Sequence, residues 1–466
     1  IIFELNILKK IIKNKKKIRI KKIIFEEIFV DSNHFISSYE TNSVQPYIRY
    51  IIAKSLGFIE IKTKDRSKNL QNKSIKSNFL NINEGLKYLT SIFLKFYSKV
   101  FNPFLIIDGY IPRKNSVSLF FRSLGKILPI SSSLIFPKNN NFKKKDYRLR
   151  KLIKIKETDF IDKIFNLLFG SFIPLSNLEN YEYYNNHVKN FKSLSSIGTA
   201  VSLIYNDYFK YMSAEILRKK GQVVVFQHGG LIGHVKYDHD VTINDRYSTK
   251  VFSWNKSKNF SDNYFKRFNK ITFDEINNKK GILIFPTRVK IKYNYNQCVY
   301  KKNHPYLNCN YLFYGGLDKK IKDETFVKIF PNKISNMSLK IWKQKYNDNV
   351  NIITKWDKKL FNKFRIVVID DLSTPICELL YIGIPFIIIN NELEWLNHNL
   401  VKKLKKLKKL NILFDDPKDA YNFINKNYDK IPTWWKKNSQ TPIFKNFKKE
   451  LIPTRKEKNI LSLIKN

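Results

Sequence analysis

Four short apolar runs constrain this chain most: residues 223–226, 282–285, 365–369 and 385–389, each rich in Val, Ile or Phe. They are too short for independent helices and lack the polar alternation of a half-solvated strand, so they read as strands of parallel sheets covered on both faces. The spacing between most of them leaves room for a helix. Upstream, residues 104–108 read as a strand followed by a helix-like segment at 116–124. Residues 196–200 read as another strand, and 206–219 as a helix with Phe209, Met212 and Ile216 near one face and Gly221 as its C-terminal cap. Residues 326–330 form a further candidate strand. Strand, helix, strand in repetition is the grammar of an α/β fold.

At 466 residues the chain exceeds what one hydrophobic core organises, so two domains are expected. Between Trp254 and Lys279 the sequence turns polar, which sets the boundary. The expected organisation is a Rossmann-like domain over 1–255, with 1–100 poorly defined, a second over 280–430 and a helical tail over 431–466. Residues 9–22 read as a basic amphipathic stretch, 138–145 as a basic loop and Gly315-Gly316 as a turn.

The formal charge is +47. Lys, Ile and Asn crowd every segment and the charge is spread along the chain, the pattern of compositional drift; a polyanion partner is the functional alternative. Such a surface attracts anionic lipid in either case. A nucleic-acid-binding protein would gather its cations with exposed aromatics, and no specific nucleic-acid partner is expected. Cys298, Cys309 and Cys377 form neither a disulfide framework nor a metal motif, which fits a reducing compartment. No apolar run approaches the ~20 residues of a membrane span. No signal peptide is visible, and the chain begins at Ile1, not Met. A cytoplasmic location, peripheral at the inner membrane, is the expectation.

Polar signatures follow the strands, where open parallel sheets bind ligands. The first is Gln227-His228-Gly229-Gly230. Paired glycines let backbone approach a ligand, and His228 suits a general base or a phosphate contact; a tight structural turn is the alternative. The second is Asp238-His239-Asp240, an acid–base cluster or a polar loop. His234, Asp238 and His239 match no metal spacing, so no metal site is expected. The third runs from Asp370-Asp371 through Ser373-Thr374-Pro375 to Glu378. It reads as a helix start, either a phosphate site or a capped structural helix with Glu378 completing a capping box. Arg288 and Lys328 are cations at neighbouring strands. No P-loop, nucleophile elbow, metalloprotease helix or dinucleotide fingerprint is present.

Taken in order and spacing, these blocks resemble the transferases encoded in bacterial O-antigen and surface-carbohydrate gene clusters, related in architecture to the two-domain GT-B glycosyltransferases. The likeness rests on Asn206-Asp207, Phe209-Lys210, Ala214, the Gln227–Gly230 block, Asp238-His239-Asp240, Asp245-Arg246 and Phe252-Ser253-Trp254. In the second half it rests on Asp370-x-Leu372-x-Thr374, Glu378, Pro385, Asn411-Ile412-Leu413-Phe414 and Trp434-Trp435. Ser373 stands where the family usually has glycine, and Pro375 where it has a small hydroxyl residue.

The resemblance implies two Rossmann-like domains facing a cleft, with an acceptor domain first, a nucleotide domain second and the tail crossing back to the first. It implies metal-independent transfer of a sugar from a nucleotide-activated donor to a saccharide or lipid-linked acceptor, with no cofactor. His228 or His239 would deprotonate the acceptor, oriented by Asp238 or Asp240. Gln227, Gly229, Gly230, Arg288, Lys328, Asp370, Ser373 and Thr374 would line the substrate site, and Glu378 would meet donor hydroxyls. A glycerophosphate or polyol-phosphate transferase on the same scaffold and a non-catalytic relative are the alternatives.

Overall fold

Two parallel sheets organise the polypeptide. The computed structural model describes residues 82–136 and 143–452, apart from 144, 190, 192, 237–238, 255–263, 287–304, 330–334, 347–348, 356, 358, 371 and 391–392. Before residue 82 it describes 19–21, 48, 51–52, 54–55 and 59–61. Most of the basic stretch at 9–22 and of the loop at 138–145 lies outside the described residues, as do Asp238, Arg288 and Asp371 entirely.

In chain order, β1 (Arg19–Lys21) pairs with β2 (Ile59–Ile61) in parallel. Next come α1 (Ile82–Phe101), β3 (Phe104–Ile107), α2 (Arg113–Arg122), β4 (Ile127–Ile130), α3 (Tyr147–Leu152), α4 (Phe160–Phe172) and α5 (Tyr181–Lys189). Then follow β5 (Ser196–Thr199), α6 (Asp207–Arg218), β6 (Gln222–Phe226), α7 (His239–Tyr247) and β7 (Lys250–Phe252). Strands β4-β3-β5-β6-β7 form a five-stranded sheet in that order.

The second series comprises α8 (Phe273–Asn277), β8 (Ile282–Phe285), α9 (Pro305–Gly316), β9 (Thr325–Lys328), α10 (Ser335–Tyr346), β10 (Asn351–Ile353) and β11 (Ile366–Ile369). It continues with α11 (Thr374–Ile382), β12 (Phe386–Ile389), α12 (His398–Leu407), β13 (Leu413–Phe414), α13 (Pro417–Asn427), α14 (Ile431–Ser439) and α15 (Pro442–Leu451). Its six strands lie in the order β10-β9-β8-β11-β12-β13, with every neighbouring pair parallel.

These orders locate ligand crevices. Renumbered within each sheet, the second reads 3-2-1-4-5-6 and the first 2-1-3-4-5, the two common doubly wound orders. In such sheets ligands bind beyond the strand carboxyl ends where the order reverses. That places one crevice past β8 and β11, and the other past β3 and β5.

The chain divides into two compact units. One comprises residues 1–103, 130–195 and 202–221 and is mainly helical. Its core includes Ile164, Leu168, Tyr184, Tyr208, Phe209, Met212 and Ile216, all buried, with the Tyr184 and Tyr208 rings stacked 4.1 Å apart. Helix α6 starts at an Asn206 cap whose side chain accepts from the Phe209 N–H. The expected Gly221 cap is corrected: Lys220 takes the left-handed conformation, φ 60°, and Gly221 donates its N–H back to the Ile216 carbonyl. Gly221 is required by contact instead, because a Cβ there would strike the Ser195 carbonyl and lie 2.7 Å from Ile216 Cγ2.

The other unit holds residues 104–129, 196–201 and 222–466, including nearly all strands of both larger sheets. Its first sheet packs Phe104, Ile106, Ile127, Val224, Phe226 and Phe252 together, with Ile111 and Leu119 against them. Its second sheet buries one face on α9, α10 and α13, and the other on α11, α12, α14 and α15. The tail is held by the Trp435 indole, donating to the Gly383 carbonyl at 2.9 Å, and by Trp434, donating to Leu410 at 3.1 Å. Gly315 and Gly316 are not a turn; they end α9, and a Cβ on Gly316 would collide with the Tyr421 ring of α13. No helix among the described residues is long and apolar enough to cross a membrane.

Candidate active site

The loop after β3 lies at the reversal point of the first sheet. Asp108 and Tyr110 flank Gly109 with φ of 50° and 54°. Two non-glycine residues in the left-handed region within three positions store strain that a plain turn would avoid. Tyr110 lies beside His228, which follows β6: the rings are stacked with centroids 6.4 Å apart. Tyr110 also meets the edge of Tyr264 at 6.5 Å. Burial, then the Asp108 charge, pushes the Tyr110 phenol above its ordinary pKa, so it remains a neutral hydrogen-bonding group.

The His228 loop is held at several points. The Gln227 N–H donates to the Phe252 carbonyl, its Nε2 donates to the Gly229 carbonyl at 2.7 Å, and its Oε1 accepts from the Trp254 N–H at 2.7 Å. Gln227 is thus a brace between β6 and the chain after β7. Farther on, the Lys236 N–H donates to Trp395, the Asn397 N–H donates to His234, and Val235 bridges Leu396 in antiparallel fashion.

Gly230 seats the same loop on the start of α11. Its N–H donates to Thr374 Oγ1 at 3.2 Å, and its carbonyl lies 3.8 Å from Cys377 Sγ. A Cβ at Gly230 would lie 2.8 Å from that sulfur and 3.0 Å from the Ser373 carbonyl, whereas one at Gly229 would find nothing nearer than 3.5 Å. Gly230→Ala is therefore expected to lower stability by about 1–3 kcal/mol and Gly229→Ala to change it little. Urea unfolding of the two variants checks this contrast. Equal losses would mean that the Gly230 contact does not set the seating.

Helix α11 begins at the reversal point of the second sheet. Ser373 is its N-cap with no side-chain cap bond, and Pro375 occupies its first turn. The early N–H groups of such a helix have no intrahelical partners and favour anions. The expected capping box is absent. Glu378 is buried instead, its Oε1 accepting from the Tyr264 hydroxyl and, at 3.2 Å, from Arg267 Nη2.

Arg267 lies with its guanidinium 3.8 Å over the Tyr264 ring and 4.8 Å from Phe268. Its side chain remains 27% accessible, and its Nε has no hydrogen-bond partner among the described residues. Tyr110, Tyr264 and Arg267 carry no local sequence signal. Tyr264 and Arg267 are two aromatic-flanked residues in a polar stretch, and their partner Glu378 is more than a hundred positions away.

Desolvation raises the Glu378 pKa above the ordinary carboxylate value, against the opposing effects of Tyr264 and Arg267. A raised folded-state pKa means that the native chain binds the proton more tightly than the unfolded chain. The carboxyl's contribution is most favourable below the ordinary range and is lost as pH rises through the folded value. Glu378→Gln should therefore gain stability relative to wild type as pH climbs from about 4 towards 8. Denaturant midpoints across that range measure it; a flat or falling difference would contradict the shift.

Lys328 and Asp370 have partners of their own. Lys328 is fully buried, its ammonium donating to the Ile329 and Thr354 carbonyls at 2.9 Å each, so it braces β9 against the end of β10. Asp370 is buried too, its carboxylate accepting from Asn310 and its carbonyl from Asn390 at 2.9 Å. His239 and Asp240 open α7; their side chains, with Asp238 and Arg288, fall outside the described residues. Cys377 is fully buried and its thiol is pushed up by desolvation, which disqualifies it as a nucleophile. Among the described residues no cluster of His, Cys, Asp and Glu is placed to hold a metal ion.

The chain is similar over 379 residues to protein Ycf2 of Physcomitrium patens, at 27% identity; the match covers 75% of this chain and 14% of that protein's length. The crystal structure of Acinetobacter baumannii MurG is similar with a TM-score of 0.36 at 9% identity, covering 75% of this chain and 98% of that one. WaaG, a glycosyltransferase involved in lipopolysaccharide biosynthesis, is similar with a TM-score of 0.34 at 8% identity, covering 76% and 100%. Likeness at these levels assigns no activity. The family model described as LIC12162 family transferase matches residues 4–464, nearly the whole chain, and the chain belongs to that family of transferases.

Proposed function

We propose that this transferase moves a sugar from a nucleotide-activated donor to a hydroxyl of a saccharide or lipid-linked acceptor, without a metal ion. The observation that carries the reading is the seating of Gly230 on Thr374. It brings the histidine loop of one doubly wound sheet against the helix N-terminus at the reversal point of the other. Residues 280–430 would hold the nucleotide, with the diphosphate at the start of α11 near Ser373 and Thr374. Arg267, positioned by Glu378 and Tyr264, is the cation we assign to the leaving diphosphate. His228, flanked by Tyr110, is the base that takes the acceptor proton as the hydroxyl attacks the anomeric carbon.

The test is thermal stabilisation of the full chain by a panel of nucleotides and nucleotide sugars, with and without EDTA. A ligand at about 100 times its Kd stabilises by roughly 2.7 kcal/mol. A selective, EDTA-insensitive shift is expected, and Arg267→Ala should reduce it. No shift with any nucleotide would overturn the donor site, and loss of the shift in EDTA would overturn metal independence. Product analysis then separates attack on an anomeric carbon from attack on phosphorus.

A further inference from the structure

Helix α2 presents an uncovered apolar stripe directly after the strained Asp108–Tyr110 loop. None of its ten residues is buried. Val117 and Phe121, four positions apart, share one face of the helix, and Leu124 lies in the turn directly after it. Val117 is 57% exposed, Phe121 68% and Leu124 88%, while Leu119 and Ile111 pack on the sheet behind.

Leu124 is the more telling residue. It has φ 50°, and the Gly125 N–H reaches back to the Phe120 carbonyl, so it occupies the left-handed position after the helix where Gly or Asn is preferred. An almost fully solvated leucine in a disfavoured conformation serves no packing need. Charge completes the pattern: Arg113, Lys114, Arg122 and Lys126, all exposed, lie on the same helix and turn, and no Asp or Glu occurs from residue 109 to 130.

We propose that α2 and the turn after it form a docking surface for an anionic lipid bilayer. Val117, Phe121 and Leu124 enter the acyl boundary, and the four cations meet lipid phosphates. Continuity through Ile111 and Pro112 then sets the Tyr110–His228 loop beside the membrane surface, where a lipid-linked hydroxyl would be presented.

The test is flotation of the full chain with vesicles of phosphatidylcholine alone or with an equal part of phosphatidylglycerol, at about 0.1 and 0.5 M salt. The probe variant Val117→Ser/Phe121→Ser/Leu124→Asn keeps every charge, and asparagine suits the conformation at 124. Its melting temperature should be unchanged or higher. Binding to phosphatidylglycerol vesicles is expected to fall by about tenfold or more. Lys402→Gln/Lys405→Gln/Lys409→Gln, which removes three exposed cations from α12 and the turn after it, should weaken it less. Equal binding by wild type and the apolar variant would overturn the surface and leave only general attraction by the net charge. A concentration-dependent dimer that the apolar variant dissolves, without any change in vesicle binding, would assign the stripe to a second copy of the chain. The readout is lipid partitioning, so it fails or succeeds separately from the transfer chemistry.

Discussion

His228→Ala is expected to lower the rate of transfer by about 10²–10⁴ while leaving the melting temperature nearly unchanged. The contrast follows from how the loop is held. Gln227 secures its entry through Phe252, Gly229 and Trp254, and Gly230 secures its exit on Thr374. Removing the imidazole leaves each of those bonds in place. Gln227→Ala should behave in the opposite way, because it strips a buried backbone N–H and a carbonyl of their partners and costs about 1–3 kcal/mol in folding. Single-turnover assays on His228→Ala, paired with unfolding curves for both variants, separate a base from a brace. A His228→Ala enzyme that retains wild-type turnover would remove the base assignment and move attention to α7, where His239 begins the helix.

The strands were legible because a fully buried parallel strand must be apolar on both faces. Residues 223–226, 282–285, 366–369 and 386–389 are buried throughout, and each stood out as an unbroken run. Strands β7 and β10 did not, since Lys250 and Asn351 place polar side chains in three-residue edge strands. The Gly315-Gly316 pair misled for a reason the sequence hides. Glycine serves there for the close approach of two helices, and the Tyr421 ring that needs the space is about a hundred positions away. The site shows the same division. Residues next to a strand end, such as His228 and Thr374, could be found by position along the sheet. Their number also included Lys328 and Asp370, which turn inward, because strand position says nothing about side-chain partners. Arg267 is marked by neither spacing nor motif; only the pairing with Glu378 across the fold reveals it.

The largest stability effect is expected at Arg150→Met, a loss of about 3–5 kcal/mol. Arg150 joins Glu179 in a buried bidentate pair, Nε to Oε1 at 2.5 Å and Nη2 to Oε2 at 2.7 Å. Its remaining donor spans the Gly170 and Ile173 carbonyls at the end of α4, at 2.7 and 2.8 Å. One guanidinium therefore ties α3, α4 and the segment entering α5, and both charges are almost wholly shielded from water. Burial alone would raise the Glu179 carboxyl. The Arg150 and Asp146 N–H donors and the cation's charge outweigh it and hold the pKa below the ordinary range. A depressed folded-state pKa adds stability above the unfolded value and loses it as pH falls through the folded one, so wild type should weaken in acid through this group. In Arg150→Met the carboxylate stays buried without its partner, and the sign reverses: the variant should become relatively more stable as pH falls and Glu179 takes up a proton. Adding Glu179→Leu to Arg150→Met should restore much of the loss, since most of the cost is an uncompensated charge and not the missing attraction. Urea unfolding of wild type, the single variant and the double variant at about pH 5 and pH 8 measures all three terms. A double variant no better than the single one would show that the carbonyl bonds to Gly170 and Ile173, and not the charge pair, hold these helices together.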